Sequence, residues 1–266
     1  MQNMKENKII KLKYYACGYC INKLKYIIKK PSEKTKKFYA GVFLIKHEKY
    51  GYILFDTGYS ENIYNCGIIG KLYNIFNPTF IKKEETITEQ LKRDKIDIDS
   101  IKYVILSHLH PDHIGCVKDF KNAKIILSNE CFNEYKHGSI KSLIFKKMLP
   151  VDFEKRVQVI NKFDNQYKLF KGFDLYNDES IILTEVDGHF KGQICAYLPQ
   201  NNVFLGADIC WGLKFKDRVN EMHPFARLVQ NNFKEYKKGI ELINKLEDDN
   251  IRVCLCHDDY DLEELI

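Results

Sequence analysis

Short apolar runs, separated by polar and turn-forming residues, recur along most of the chain and predict strands. Two such runs, 41–46 and 52–55, are joined by a short polar link that predicts a β-hairpin. Asp56-Thr57-Gly58 follows the second run and predicts a tight turn at a strand end. Further strands are expected at 102–106, 124–127, 157–160, 180–186, 193–198, 203–205 and 251–256.

Helices are predicted at 86–95, between 130 and 148, and over the amphipathic segment 231–246. Another helix should begin near Pro111, since proline suits the first helical position. Residues 61–83 are rich in apolar and aromatic side chains with interspersed lysines, which predicts a helical insertion with one apolar face. The mixture lacks strict βαβ alternation and indicates the α+β class, with mixed sheets flanked by helices in a single domain over residues 1–266.

Composition narrows the functional classes. The 266 residues are 45% hydrophobic, which supports a folded core. Lysine supplies most of the 42 basic charges against 36 acidic ones, and the scarcity of arginine argues against nucleic acid as a partner. We see no signal peptide and no apolar run long enough to span a membrane.

Nine cysteines are an odd number, best interpreted as reduced thiols in a cytoplasmic protein. Cys17 and Cys20 have the spacing of a redox or metal knuckle, but no second pair completes a four-cysteine zinc site, so a structural role is expected. Cys254 and Cys256 should share one buried face of a strand.

Candidate metal-binding side chains are concentrated in the motif His108-Leu-His110-Pro-Asp112-His113, which follows a predicted buried strand. In an extended loop His108 and His110 point the same way, and the helical turn begun by Pro111 swings Asp112 and His113 toward them. Imidazole and carboxylate donors together suit a borderline-soft divalent metal, with zinc first.

Three later residues have the same setting, because each comes just after an apolar strand: His189, Asp208 and His257. Strand ends can meet at one edge of a sheet, so these side chains are candidates to complete the site. His47 and His137 lack that setting and are expected on the surface. His223, in a loop beside Pro224, is a candidate pocket residue.

This order and spacing of ligands resembles the metallo-β-lactamase superfamily over about residues 40–260, and the hairpin ending in Leu-Phe-Asp-Thr-Gly-Tyr is most similar to N-acyl homoserine lactone lactonases. The resemblance implies a four-layer αβ/βα sandwich with two metal ions at the edge of two sheets. It assigns His108, His110 and His189 to the first metal, Asp112, His113 and His257 to the second, and Asp208 to both. It also makes Asp56 a support for the ligands. Two zinc ions are expected, with iron or manganese as alternatives.

The function expected from this site is hydrolysis of a small ester, lactone or thioester by a metal-bridging hydroxide, with Asp112 or Asp208 handling the proton. Lactonases of this type often carry Tyr three residues after the bridging Asp, whereas Trp211 stands there in this chain. The predicted substrate pocket comprises Trp211, Phe215 and His223. The alternatives left open are a phosphodiesterase of the same fold, a mononuclear iron dioxygenase and a non-catalytic metal-binding module. A small-molecule substrate is the expected partner, and a homodimer stays open.

Overall fold

The first β-sheet contains seven strands and is mixed. The structure, a computed structural model, describes residues 8–260. The spatial order in this sheet is β4-β1-β2-β3-β5-β6-β7, with antiparallel pairing from β4 to β3 and parallel pairing from β3 to β7. In chain order its strands are β1 Ile9–Lys23, β2 Thr35–His47, β3 Gly51–Phe55, β4 Thr79–Phe80, β5 Ile101–Ile105, β6 Lys124–Ser128 and β7 Val157–Ile160.

The second sheet contains six strands in the order β13-β12-β11-β10-β9-β8. Only β12 and β13 pair in parallel, so this sheet is mixed as well. Its strands are β8 Asn165–Gln166, β9 Lys171–Asp174, β10 Ile182–Glu185, β11 Ile194–Leu198, β12 Val203–Ala207 and β13 Arg252–Leu255.

Helices cover the outer face of each sheet. Apolar side chains of the two sheets, such as Phe43 and Leu205, meet in a shared central core. A second core lies between the first sheet and α2, and a third lies between the second sheet and α7. The predicted four-layer arrangement is therefore confirmed. The helices are α1 Gly67–Phe76, α2 Ile87–Arg93, α3 Pro111–Ile114, α4 Asn129–His137, α5 Phe153–Arg156, α6 Pro224–Val229 and α7 Phe233–Asp248.

Two strands from different sheets come unusually close where the functional residues gather. The backbone N–H of Gly41 in β2 donates to the carbonyl of Cys256, just after β13, at 3.0 Å. A Cβ atom on Gly41 would lie 2.5 Å from that carbonyl oxygen, so only glycine allows this approach. The contact brings the end of the second sheet against the middle of the first.

Parts of the fold differ from the sequence expectations. No strand was predicted over Ile9–Lys23, yet β1 is the longest strand described. The surface assignment of His47 is wrong: its ring is 1% exposed, and its Nε2 lies 3.1 Å from the Ser180 hydroxyl. Residues 61–83, predicted as a helical insertion, contain α1 and the edge strand β4. The ends of the predicted single domain, 1–7 and 261–266, lie outside the described residues.

The cysteines of the described chain are free thiols. Cys17 and Cys20 are both buried. The register of β1 shifts between Ala16 and Tyr19, and the two thiols pack into different cores. Cys254 and Cys256 share the central core, as predicted. Between residues 8 and 260, no helix is both long and apolar enough to cross a membrane.

Candidate metal centre

The loop after β5 is held by a buried carboxylate from the end of β3. Asp56 has a positive φ of 66°, which turns its side chain toward the neighbouring loop. One of its oxygens accepts from the backbone N–H of Ser107 at 2.7 Å, and the other accepts from the Ser107 hydroxyl at 2.8 Å. The second oxygen also lies 2.8 Å from Nδ1 of His113. Asp56 thereby fixes both ends of the histidine-rich loop.

Three imidazoles converge on one point at the first of two donor clusters. Nε2 of His108 lies 2.9 Å from Nδ1 of His110, which in turn lies 3.0 Å from Nε2 of His189. Donors 2.0–2.1 Å from a tetrahedral zinc ion are separated by about 3.3 Å. The spacing of these nitrogens is therefore close to that of a metal-binding triad.

The second donor cluster combines a carboxylate with two imidazoles. Oδ2 of Asp112 lies 3.7 Å from Nε2 of His113 and 3.7 Å from Nε2 of His257. All three side chains are buried. These distances also fit the edges of a coordination polyhedron, slightly expanded from the tetrahedral value.

Asp208, just after β12, lies between the two clusters. Its Oδ2 is 3.3 Å from Nε2 of His189 and 2.9 Å from Nε2 of His257. Its Oδ1 is 3.5 Å from Nε2 of His113. A single carboxylate thus reaches donors of both clusters, as a ligand shared by two ions would.

Hydrogen bonds on the outer side of two rings determine which nitrogen carries the hydrogen when the imidazole is neutral. Nδ1 of His189 lies 2.9 Å from the Gln230 side-chain oxygen, and Nδ1 of His257 lies 2.7 Å from the Tyr39 carbonyl. Both partners are acceptors, so each Nδ1 donates its hydrogen and each Nε2 presents a lone pair to the cluster. Neutral imidazole in this tautomer is the form that binds a metal.

Two buried atoms at the centre have no hydrogen-bond partner among the described residues. They are Nε2 of His113 and Oδ1 of Asp208. Leaving a buried acceptor unpaired costs about 1–3 kcal/mol. Nε2 of His257 lies 2.9 Å from a carboxylate oxygen of Asp208, a spacing at which both atoms can bind one cation. A pair of divalent ions would satisfy these atoms, so the residues present fit such a group.

The pKa values of the clustered side chains are shifted in different directions across the site. Burial, together with neighbouring imidazoles, holds the pKa values of His108 and His110 well below the ordinary value. Burial acts in the same direction on His257, but the Asp208 carboxylate outweighs it and raises the pKa of His257. Burial alone would raise the pKa of Asp208, yet the surrounding imidazoles hold it well below its usual range. A carboxylate ionised in this way is ready to bind a cation.

Two of the predicted pocket residues share a small cavity, and the third caps a helix. The Trp211 ring is 5.8 Å from the His189 ring, beside the first cluster. Phe215 is buried and stacks on Phe38, and it shares with Trp211 a cavity of only about 10 Å³. The His223 side chain caps helix α6 by accepting from the N–H of Phe225 at 3.2 Å.

Sequence reasoning missed three groups that support the ligands: Gln230, Ser107 and the Tyr39 carbonyl. Gln230 lies just after α6 and is buried, and its distance of 41 residues from His189 gives no local signal. Ser107 directly precedes the histidine motif, so a polar residue at that position was the available signal. The Tyr39 group is backbone, which no side-chain pattern reports.

Comparison with known proteins gives relatives named N-acyl homoserine lactonases. The chain is 28% identical over 156 residues to N-acyl homoserine lactonase AttM of Azorhizobium caulinodans, a match covering 56% of each protein. It is 36% identical over 93 residues to N-acyl homoserine lactonase AiiA of Bacillus thuringiensis subsp. kurstaki, a match covering 32% of this chain and 34% of that one. The aligned segments thus span little more than half of these relatives, or less.

Solved structures show the same fold over nearly the whole chain. A variant of Bacillus thuringiensis AiiA, crystallised with N-decanoyl-L-homoserine at its active site, superposes with a TM-score of 0.73 at 20% identity, covering 94% of both chains. The dizinc quorum-quenching lactonase AidC superposes with a TM-score of 0.68 at 18% identity, covering 92% of this chain and 86% of that one. At such identities the likeness establishes the fold alone.

A family model described as the metallo-β-lactamase superfamily matches residues 38–208. This segment is well over half of the 266 residues and contains the histidine motif, His189 and Asp208. The chain therefore belongs to the metallo-β-lactamase superfamily.

Proposed function

We propose that this protein is a metal-dependent hydrolase that holds two metal ions, zinc first, and opens the ester bond of a lactone or a related small ester or thioester. The observation that carries the proposal is the convergence of seven buried donor side chains. In each of three sets of three residues, the potential ligand atoms all lie within 4.8 Å of one another. The sets are His108, His110, His189; His108, His113, Asp208; and Asp112, His113, His257.

Each ion has its own proposed ligands. His108, His110 and His189 would hold the first, Asp112, His113 and His257 would hold the second, and Asp208 would be shared. When bound, such ions lower the pKa of coordinated water to about 7 and polarise a carbonyl oxygen. Five histidines, one unshared carboxylate and a shared aspartate are also compatible with iron or manganese, so the choice of metal is part of the test.

The proton transfers are assigned to Asp112 and Asp208. In hydrolysis, the oxygen of water attacks the carbonyl carbon and the bond from that carbon to the alkoxide or thiolate breaks. The proton released by water passes to a carboxylate oxygen and then to the leaving group. Asp112 is 7% exposed, whereas Asp208 is 1% exposed. Asp112 is therefore the better proton carrier and Asp208 the better fixed ligand.

The lactone class is favoured by the relatives, which are named N-acyl homoserine lactonases. Trp211 bears on this choice because its indole N–H donates a hydrogen bond but exchanges no proton at neutral pH. With its ring 5.8 Å from that of His189, Trp211 would form a wall beside the carbonyl rather than act as an acid.

The test is a hydrolysis screen of the zinc-loaded protein against N-acyl homoserine lactones, thioesters, β-lactams and bis(p-nitrophenyl) phosphate. We expect the highest kcat/KM on a carboxylic ester, lactone or thioester. The same preparation after chelation, and after zinc is restored, is the control. Turnover confined to the phosphodiester would overturn the substrate assignment, and turnover unaffected by chelation would overturn the metal dependence.

A further inference from the structure

Helix α1 presents its apolar residues to solvent and its small and polar residues to the protein. Gly70 is buried and Tyr73 and Asn74 are half-buried, so these three form the inner face. The outer residues recur at helical spacing and are between 44% and 77% exposed: Ile68, Ile69, Leu72, Ile75 and Phe76. We call these five residues the α1 face. This distribution is the reverse of an ordinary surface helix.

The inner face of α1 is anchored, so the helix cannot turn its apolar side inward. The Tyr73 hydroxyl lies 3.0 Å from that of Tyr59 and accepts from the Asn77 side-chain amide at 2.7 Å. Asn74 accepts from the backbone N–H of Thr79 at 2.8 Å. A Cβ on Gly70 would lie 2.6 Å from a backbone carbonyl, so no side chain fits there. The exposure of the α1 face is thus imposed by the fold.

A second segment, residues 139–151, extends this surface. Phe145 packs edge-on against Tyr73, with ring centroids 5.5 Å apart. Exposed apolar residues occur here too, at Ile140 and Val151. Residues 66–83 and 139–151 contain no Asp or Glu, and their basic residues are Lys71, Lys82, Lys83, Lys141, Lys146 and Lys147. The two segments together are apolar and positively charged.

We propose that the α1 face and its flanking lysines bind an anionic lipid surface. An exposed apolar helical stripe bordered by lysines is the pattern of a helix that lies in the membrane interface. Negatively charged headgroups would neutralise the lysines, each lysine near such a surface contributing about fivefold in partitioning. A second copy of the same face would instead bring two positively charged patches together, since a two-fold interface uses the same patch of both subunits.

The proposal is tested by sedimentation of the full chain with vesicles of phosphatidylcholine alone and of phosphatidylcholine mixed with phosphatidylglycerol. We expect binding to the mixed vesicles that weakens as salt rises. Leu72→Ser and Ile75→Ser should each lower the partition coefficient roughly tenfold, because each removes one buried aliphatic side chain. Lys71→Gln should lower it about fivefold. Ile10→Ser is the matched control, since Ile10 is 52% exposed and Leu72 is 50% exposed, and it should bind like the parent.

Other outcomes would overturn the proposal. Equal binding of the parent and the doubly substituted Leu72→Ser, Ile75→Ser protein would show that the α1 face is not the contact. Equal binding to both vesicle types would remove the role of the lysines. Absence of vesicle binding, together with a parent dimer in analytical ultracentrifugation that Ile75→Ser dissociates, would assign the face to contact between copies. Circular dichroism of each variant checks that the fold is retained.

Discussion

The two halves of the proposed centre share Asp208 but rest on different supports. His108, His110 and His189 form a half made of imidazoles only, and burial lowers the pKa of all three. The outer contact of His189 is the neutral amide of Gln230. The other half, comprising Asp112, His113 and His257, contains a carboxylate of its own.

A second buried carboxylate stands behind that other half. Asp56 contacts Nδ1 of His113, and its charge, with those of Asp112 and Asp208, outweighs burial and raises the pKa of His113 well above the ordinary value. A place that attracts a proton in this way also attracts a divalent cation. In the first half the ligands are therefore only positioned by their neighbours. In the second half they are positioned in the same way, and the negative charge of Asp56 also favours a bound cation. Breaking the supports one at a time should give effects of different size.

The largest effect is expected for Asp208→Asn, because Asp208 is the proposed ligand of both ions. The substitution keeps the shape but removes the negative charge that the surrounding imidazoles stabilise. We expect activity to fall by more than the roughly 100-fold seen when an outer partner of a ligand is lost. Zinc content should fall as well, while circular dichroism stays unchanged. Asp164→Asn, at an exposed site, is the control. Parent-like turnover would rule out the bridging role.

An intermediate effect is expected for Asp56→Asn. This change weakens the hydrogen bonds of residue 56 to Ser107 and His113. It therefore affects the second half directly and also loosens the loop that carries His108 and His110 of the first half. A loss toward the upper end of about 10–100-fold in metal affinity is expected, measured by competition with a chelating dye. If zinc affinity stayed at the parent value, the carboxylate would serve only to hold the fold.

The smallest of the three effects is expected for Gln230→Ala, which frees only the His189 ring. We expect a loss of metal affinity near the lower end of the same range, about tenfold, confined to one ion. Gln230→Glu keeps an acceptor oxygen and should restore binding, whereas Gln158→Ala, at an exposed position, should change nothing. An equal loss of both ions in Gln230→Ala would contradict the separation of the two halves.

The same contrast shows what could be predicted from the sequence. The histidine motif is local, so its residues had to lie together once β5 was recognised. His189, Asp208 and His257 were found because each follows an apolar strand, and the structure brings all seven side chains to one place. Their supports depend on contacts between distant residues or on backbone carbonyls. No sequence pattern therefore predicted the roles of Gln230 and the Tyr39 carbonyl.

Long-range packing also explains the missed elements. In β1 the alternation of Lys11 and Lys13 with apolar residues is typical of a strand, but the register shift between Ala16 and Tyr19 breaks that alternation further along. His47 is buried because Ser180, 133 residues away, packs against it. In α1 the apolar pattern predicted a helix but not the direction that its apolar side faces, which Gly70 and Tyr73 determine through tertiary contacts.

The central claim is that the converging side chains hold two transition-metal ions, and elemental analysis during a zinc titration tests it most directly. The chain, stripped by chelation and dialysed against zinc, should bind about two ions. His110→Ala and His257→Ala should each retain about one, because each removes a ligand from a different half. A parent protein that binds no transition metal, or that binds the same number of ions as the two variants, would contradict the account.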